Sequence, residues 1–114
     1  MHRIYSMAFS KVYPLYVTKV ERKGRTQAEL DEVLLWLTGF RPDELRAAIA
    51  DDITFTELFD VARLHPNAEL ITGTICGVKI QEIEEPLMKK IRYMDKLVDE
   101  LAKGRPMAKI LRVA

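Results

Sequence analysis

Cys76, His65 and a set of carboxylates are the side chains of this 114-residue sequence whose chemistry could reach beyond packing. A nucleophilic cysteine needs an electropositive or helix-N-terminal setting and a nearby base. Cys76 lies in Thr74-Ile75-Cys76-Gly77-Val78, with Lys79 the only near cation and apolar neighbours otherwise. Its expected state is a buried, inert thiol, because free cysteine is among the most buried residue types. His65 stands before Pro66 in an expected loop. It has the chemistry of a general base, but a solitary loop histidine is more commonly a surface or capping residue. Glu82, Glu84, Glu85, Asp95 and Asp99 supply carboxylates for acid–base work. Asp95 and Asp99 share a helix face at i, i+4, with Arg92 and Lys103 in reach and Lys96–Glu100 expected as an exposed ion pair. That is the pattern of a solvated helix face.

Other chemistries find less support. A metal centre needs several convergent His, Cys or carboxylate ligands, and His2, His65 and Cys76 are unpaired in sequence. The stretch GTICGVK lacks both the Walker spacing and the dinucleotide-binding pattern, so no cofactor is expected. Tyr5, Tyr13, Tyr16 and Tyr93 could line a ligand pocket; the more common arrangement is a ring in the core with a wet hydroxyl. Lys19, Arg22, Lys23 and Arg25, with Lys103, Arg105, Lys109 and Arg112, could meet phosphates. No aromatic interleaving or nucleic-acid motif accompanies them, so nucleic-acid contact is the weaker reading.

Net charge is +1 but unevenly placed: residues 1–25 carry +5, residues 26–62 carry −7, residues 63–85 carry −2 and residues 86–114 carry +5. Basic terminal segments are expected to pack beside an acidic middle. With 48% hydrophobic and 31% charged residues, the chain falls in the globular class and is long enough for its own core. The longest uncharged runs, residues 33–40 and 70–78, are far shorter than the roughly 18 residues of a membrane span. The N-terminal stretch has no sustained apolar core and no small-residue cleavage pattern, so no signal peptide is expected. With a single cysteine and no export signal, the cytoplasm is the expected compartment.

The elements that must position these residues are mostly helices. A first helix is expected from Ser10 or Tyr13 to Lys23, with Val12, Leu15, Tyr16 and Val20 inward. Pro14 favours the later start, since a proline beyond the first turn costs a hydrogen bond. Thr26 and Glu29 form a capping box for a second helix through Leu30, Val33, Leu34 and Leu37, stopped at Gly39. A third follows Pro42 to about Ala50, and a second capping box, Thr54 and Glu57, opens a fourth.

Residues 68–83 are rich in Ile, Thr and Val with two glycines, which favours a hairpin turning at Gly73-Thr74, with Gly77 as a bulge. A short helix using Ile71, Ile75 and Val78 is the rival reading. Residues 84–104 carry the strongest helix signals: acidic Glu84 and Glu85 at the start, Pro86 at the first position, Gly104 at the stop. Leu87, Ile91, Met94, Val98 and Leu101 form one stripe, and Met88, Tyr93 and Leu97 a second apolar set. A helix apolar over so much of its circumference is buried centrally or shared between chains. Pro106 breaks the chain, and Met107, Ile110 and Leu111 suit a final docking turn.

The stretches FSKVYPLYVTKVERKGRT, EVLLWLTGF, ITGTICGVKIQEIEEPLMKKIRYMDKLVDELAKG and MAKILR resemble a family of small bacterial proteins, the domain of unknown function 2200 family. The resemblance runs from about Ile4 to Arg112 and implies a single-domain, free-standing bacterial protein. It brings no activity, cofactor or site residues with it.

The expectation is a mainly α, compact multi-helix single domain over residues 1–114, with one small β-hairpin around residues 69–82. The leading functional reading is a small cytoplasmic, non-enzymatic protein acting through protein contacts. It is expected as a homodimer sharing the face made by Leu87, Met88, Ile91, Tyr93, Met94, Leu97, Val98 and Leu101. The alternative is a small-molecule or anion-binding protein, or an enzyme, with a site near His65 and Cys76.

Overall fold

Local signals place the helix starts. Glu29 N donates to Thr26 Oγ1 at 3.1 Å while Thr26 N donates back to the Glu29 carboxylate at 2.9 Å. Thr54 and Glu57 repeat the exchange at 3.1 and 2.8 Å. Each pair satisfies two backbone donors that a helix start leaves open. In the computed structural model, which describes residues 2–112, these capping boxes open two of six α-helices. The helices are α1 (Phe9–Glu21), α2 (Gln27–Thr38), α3 (Pro42–Ala50), α4 (Phe55–Val61), α5 (Pro86–Ala102) and α6 (Met107–Ile110). Strands β1 (Thr74–Ile75) and β2 (Val78–Lys79) form an antiparallel hairpin between α4 and α5. The fold is the mainly α domain expected from the sequence. Its radius of gyration of 13.1 Å matches the about 13 Å of a compact chain of this size.

α5 is the central element. It packs against α1, α2, α4, α6 and β1. Ile91, Met94, Leu97, Val98 and Leu101 are fully buried and Tyr93 nearly so. One copy of the chain therefore covers most of the face expected to meet a second copy; only Leu87 and Met88 stay half-buried. The expectation that the helix leaves an apolar set for a partner is corrected on this point. Short helices suffice to enclose it because they approach from several sides at once.

α1 begins earlier than Pro14 suggested. Phe9 N donates to Ile53 O at 2.8 Å, and the buried Phe9 ring meets Phe55 edge-on with centroids 5.7 Å apart. These contacts anchor the first turn, and Pro14 is carried inside the helix on its exposed side, where solvent can reach the carbonyl that lacks a proline donor. The inward face is Phe9, Tyr13, Tyr16 and Val20, while Leu15, expected inside, is 66% exposed.

α2 ends at Gly39, whose φ of +70° is the left-handed stop. A Cβ there would lie 2.5 Å from Arg63 O, because residues 63–65 pass back over this helix end, with Arg63 N and His65 N donating to Thr38 O and Leu37 O. The hairpin exists, but it turns at Cys76-Gly77 and not at Gly73-Thr74. Both turn residues have positive φ, +52° and +77°, the geometry of a two-residue type I′ turn. Gly77 is thus a turn residue and no bulge. Burial of Ile71, Ile75 and Ile80 sets the register, and Ile80 N closes the hairpin base on Gly73 O at 2.9 Å.

Candidate functional site

The two reactive candidates have different surroundings. Cys76 is exposed at the hairpin tip, which corrects the expectation of a buried thiol. A two-residue turn projects its residues away from the sheet, so β1 buries Ile75 and presents the next residue to solvent. A thiol reagent should label Cys76 at a similar rate in the native and unfolded protein. Native labelling slowed by orders of magnitude would contradict the exposed tip.

His65 is a structural residue. Its Nδ1 accepts from Asn67 N at 3.0 Å, capping the 3-10 turn Pro66–Leu70, and its ring stacks on Trp36 with centroids 4.2 Å apart. The ring pins the chain after α4 to the side of α2.

The α5 carboxylates fasten the fold. Asp95 accepts from Tyr16 Oη at 2.6 Å and from Arg92 at 2.8 Å. Burial, together with the Asp95 charge, pushes the Tyr16 phenol well above its ordinary range, so it stays a donor. Asp99 takes Lys103 at 3.0 Å and Lys19 at 3.3 Å. Burial works to raise its carboxyl, but the two ammonium groups outweigh it and hold the carboxyl below the usual range. Tyr5 Oη donates to Glu85 at 2.7 Å. Glu100, expected on the exposed face with Lys96, is instead buried and holds Arg105 and Arg112, while Lys96 Nζ donates to Thr74 O. The hydroxyls of Tyr5, Tyr13 and Tyr16 end on carboxylates and are not the freely wet groups expected.

The two basic segments do meet. Arg25 donates to Leu101 O and Arg105 O, and Lys19 and Lys103 share Asp99. Much of that charge is committed to internal partners.

Apart from an open depression at residues 77–79, Glu82 and Ile83 and another between α4 and the start of α5, two concave features lie one on each side of α3. The first is a cleft of about 210 Å³ between α1, α2 and α3, lined by Tyr13, Gln27, Asp31, Leu35, Pro42, Leu45, Arg46 and Ile49. Tyr13 Oη donates to Asp31 at 2.6 Å and accepts from Gln27 Nε2 at 2.8 Å. Burial and the Asp31 hydrogen bond push the Tyr13 phenol up to about 12. The second is an apolar shelf of about 250 Å³ formed by Phe40, Ala47, Ala48, Ile53 and Val61, with Glu44 and Asp51 at its edge. Reading the sequence singled out none of Gln27, Asp31, Arg46 and Val61 as site residues. Gln27 and Asp31 stand at i, i+4 on the polar side of α2, a signal shared by any solvated helix, and Arg46 joins them only because α2 and α3 both pack on α1.

Among the described residues no group of three or more His, Cys, Asp or Glu is gathered to hold a metal ion, and no helix is long and apolar enough to cross a membrane. The fold and its network of internally paired charges define a small, mainly helical domain built around one central helix. The family described as an uncharacterized protein conserved in bacteria, domain of unknown function 2200, matches residues 3–112, and the chain belongs to that family. The crystal structure of the uncharacterized protein SP1917 is similar throughout, with 42% sequence identity over 97% of this chain and 93% of that one and a TM-score of 0.90. No curated protein matches the chain.

Proposed function

We propose that this is a non-catalytic cytoplasmic protein that works through self-association, two copies meeting shelf to shelf between α3 and α4. The observation that carries the reading is Val61, a β-branched residue 60% exposed at the rim of an apolar depression. In a two-fold contact Val61 of each copy fills the depression of the other, which suits a closed symmetric dimer. The surrounding charges are mixed: residues 40–63 hold six acids and three arginines. Across a two-fold axis, such an arrangement lets an arginine of one copy face an acid of the other. Association at the shelf also agrees with α5, most of whose apolar side chains are enclosed within one copy.

Sedimentation at micromolar concentration tests the reading. The wild-type chain should sediment as a dimer, and Val61→Asp should weaken the dimer by about tenfold or more, since it places a carboxylate in the shared apolar centre. Because Val61 is exposed, the unfolding free energy of the variant should stay within about 0.5 kcal/mol of wild type when both are measured below the concentration at which they dimerise. A wild-type chain that remains monomeric, or a Val61→Asp variant that dimerises equally well, overturns the proposal.

A further inference from the structure

The cleft on the other side of α3 is built differently from the shelf: its charged and polar groups face solvent and keep capacity that no protein partner takes up among the described residues. Asp31 uses Oδ1 for Tyr13, while no donor among the described residues meets Oδ2. Gln27 turns its amide nitrogen to the Tyr13 oxygen, which leaves Oε1 as a further acceptor. Arg46 forms no ion pair among the described residues, although Arg41 and Arg63 are paired with Asp43 and Glu44. A carboxylate and a guanidinium thus line one cleft without neutralising each other, above a floor that includes the buried Leu45.

We propose that this cleft binds a small zwitterion of the aliphatic α-amino-acid class. The ligand ammonium meets Asp31 and Gln27 Oε1, its carboxylate meets the Arg46 fork, and its side chain lies on Leu45 and Ile49. Charge-assisted hydrogen bonds of both signs select a molecule carrying both charges. The size agrees: about 210 Å³ is below the about 300–1,000 Å³ of pockets for drug-sized ligands and suits a molecule as small as an amino acid. Tyr13 is the positioning residue. Its half-buried hydroxyl ties Asp31 to Gln27 before any ligand arrives, so the acceptor pair is pre-organised.

The test follows the Gln27 side-chain amide and the Arg46 Nε–H by NMR while L-leucine is added to the full chain. Saturable shifts of both signals are expected at millimolar ligand. Arg46→Ala and Asp31→Asn should each weaken binding by about tenfold or more. Isoamylamine and 4-methylpentanoate, which each keep one of the two charges, should bind at least about tenfold more weakly than leucine. Arg46 is exposed, and asparagine at position 31 keeps an acceptor for Tyr13, so both variants should melt as the wild type does. The proposal is overturned by shifts that fail to saturate or are absent up to tens of millimolar. It is equally overturned by single-charge analogues binding as well as leucine, or by folded variants that bind unchanged. The shelf contact is read separately by sedimentation, so either proposal can fail alone.

Discussion

Leu97→Ala should destabilise the folded chain by about 2–5 kcal/mol, read as a lowered urea midpoint. Leu97 is fully buried on α5, the helix that meets α1, α2, α4, α6 and the hairpin. Removing its three terminal carbons loses their transfer free energy and leaves a cavity that close-packed neighbours refill only in part. Domains of this kind are stable by about 5–15 kcal/mol in total, so one such change removes a large share. The result also separates two roles for the helix. A Leu97 packed inside one copy makes the loss independent of protein concentration, whereas a Leu97 shared between copies would make it shrink on dilution, as both chains become monomers. Concentration-independent destabilisation is the expected outcome. A variant that keeps wild-type stability and only dissociates would return Leu97 to an interface.

Glu100→Ala should cost about 3–5 kcal/mol by the same measurement, more than the loss of an ordinary surface ion pair. The Glu100 side chain is 6% exposed and accepts two bonds from Arg112, itself 12% exposed, at 2.5 and 2.8 Å. Arg105 adds a third at 3.0 Å. The energetic weight lies in what alanine leaves behind. Arg112 is held by the packing that places Asn67 Nδ2 on its carbonyl, so its guanidinium remains in place without its counter-charge. Replacing both partners should cost less than the sum of the two single changes, because the apolar pair leaves no stranded ion. An additive double variant would mean that the pair carries no coupling.

Helix starts and stops were legible because the forces that set them act within four residues. Thr26 reaches Glu29, Thr54 reaches Glu57, and Gly39 and Gly104 accept left-handed backbone where the chain must leave a helix. Pro14 misled because its local cost is real but small beside the burial of Phe9 one turn earlier. The hairpin is legible as an element from its Ile, Thr and Val content, yet its turn lies three residues beyond Gly73-Thr74, since two glycines offer two turns of nearly equal local merit. Burial of Ile75 and Ile80 decided between them.

The sequence by itself determined the mainly α class, the order of the helices, their caps and the strongly apolar character of α5, all consequences of composition, periodicity and short-range hydrogen bonding. The tertiary structure alone decided which surfaces remain. It enclosed the α5 stripe within one chain, exposed Cys76, buried Glu100, and set Asp31 and Arg46 on one cleft. Those outcomes depend on side chains far apart in the chain, as with Tyr16 and Asp95, 79 positions apart, whose meeting is fixed by how helices pack and not by any local preference.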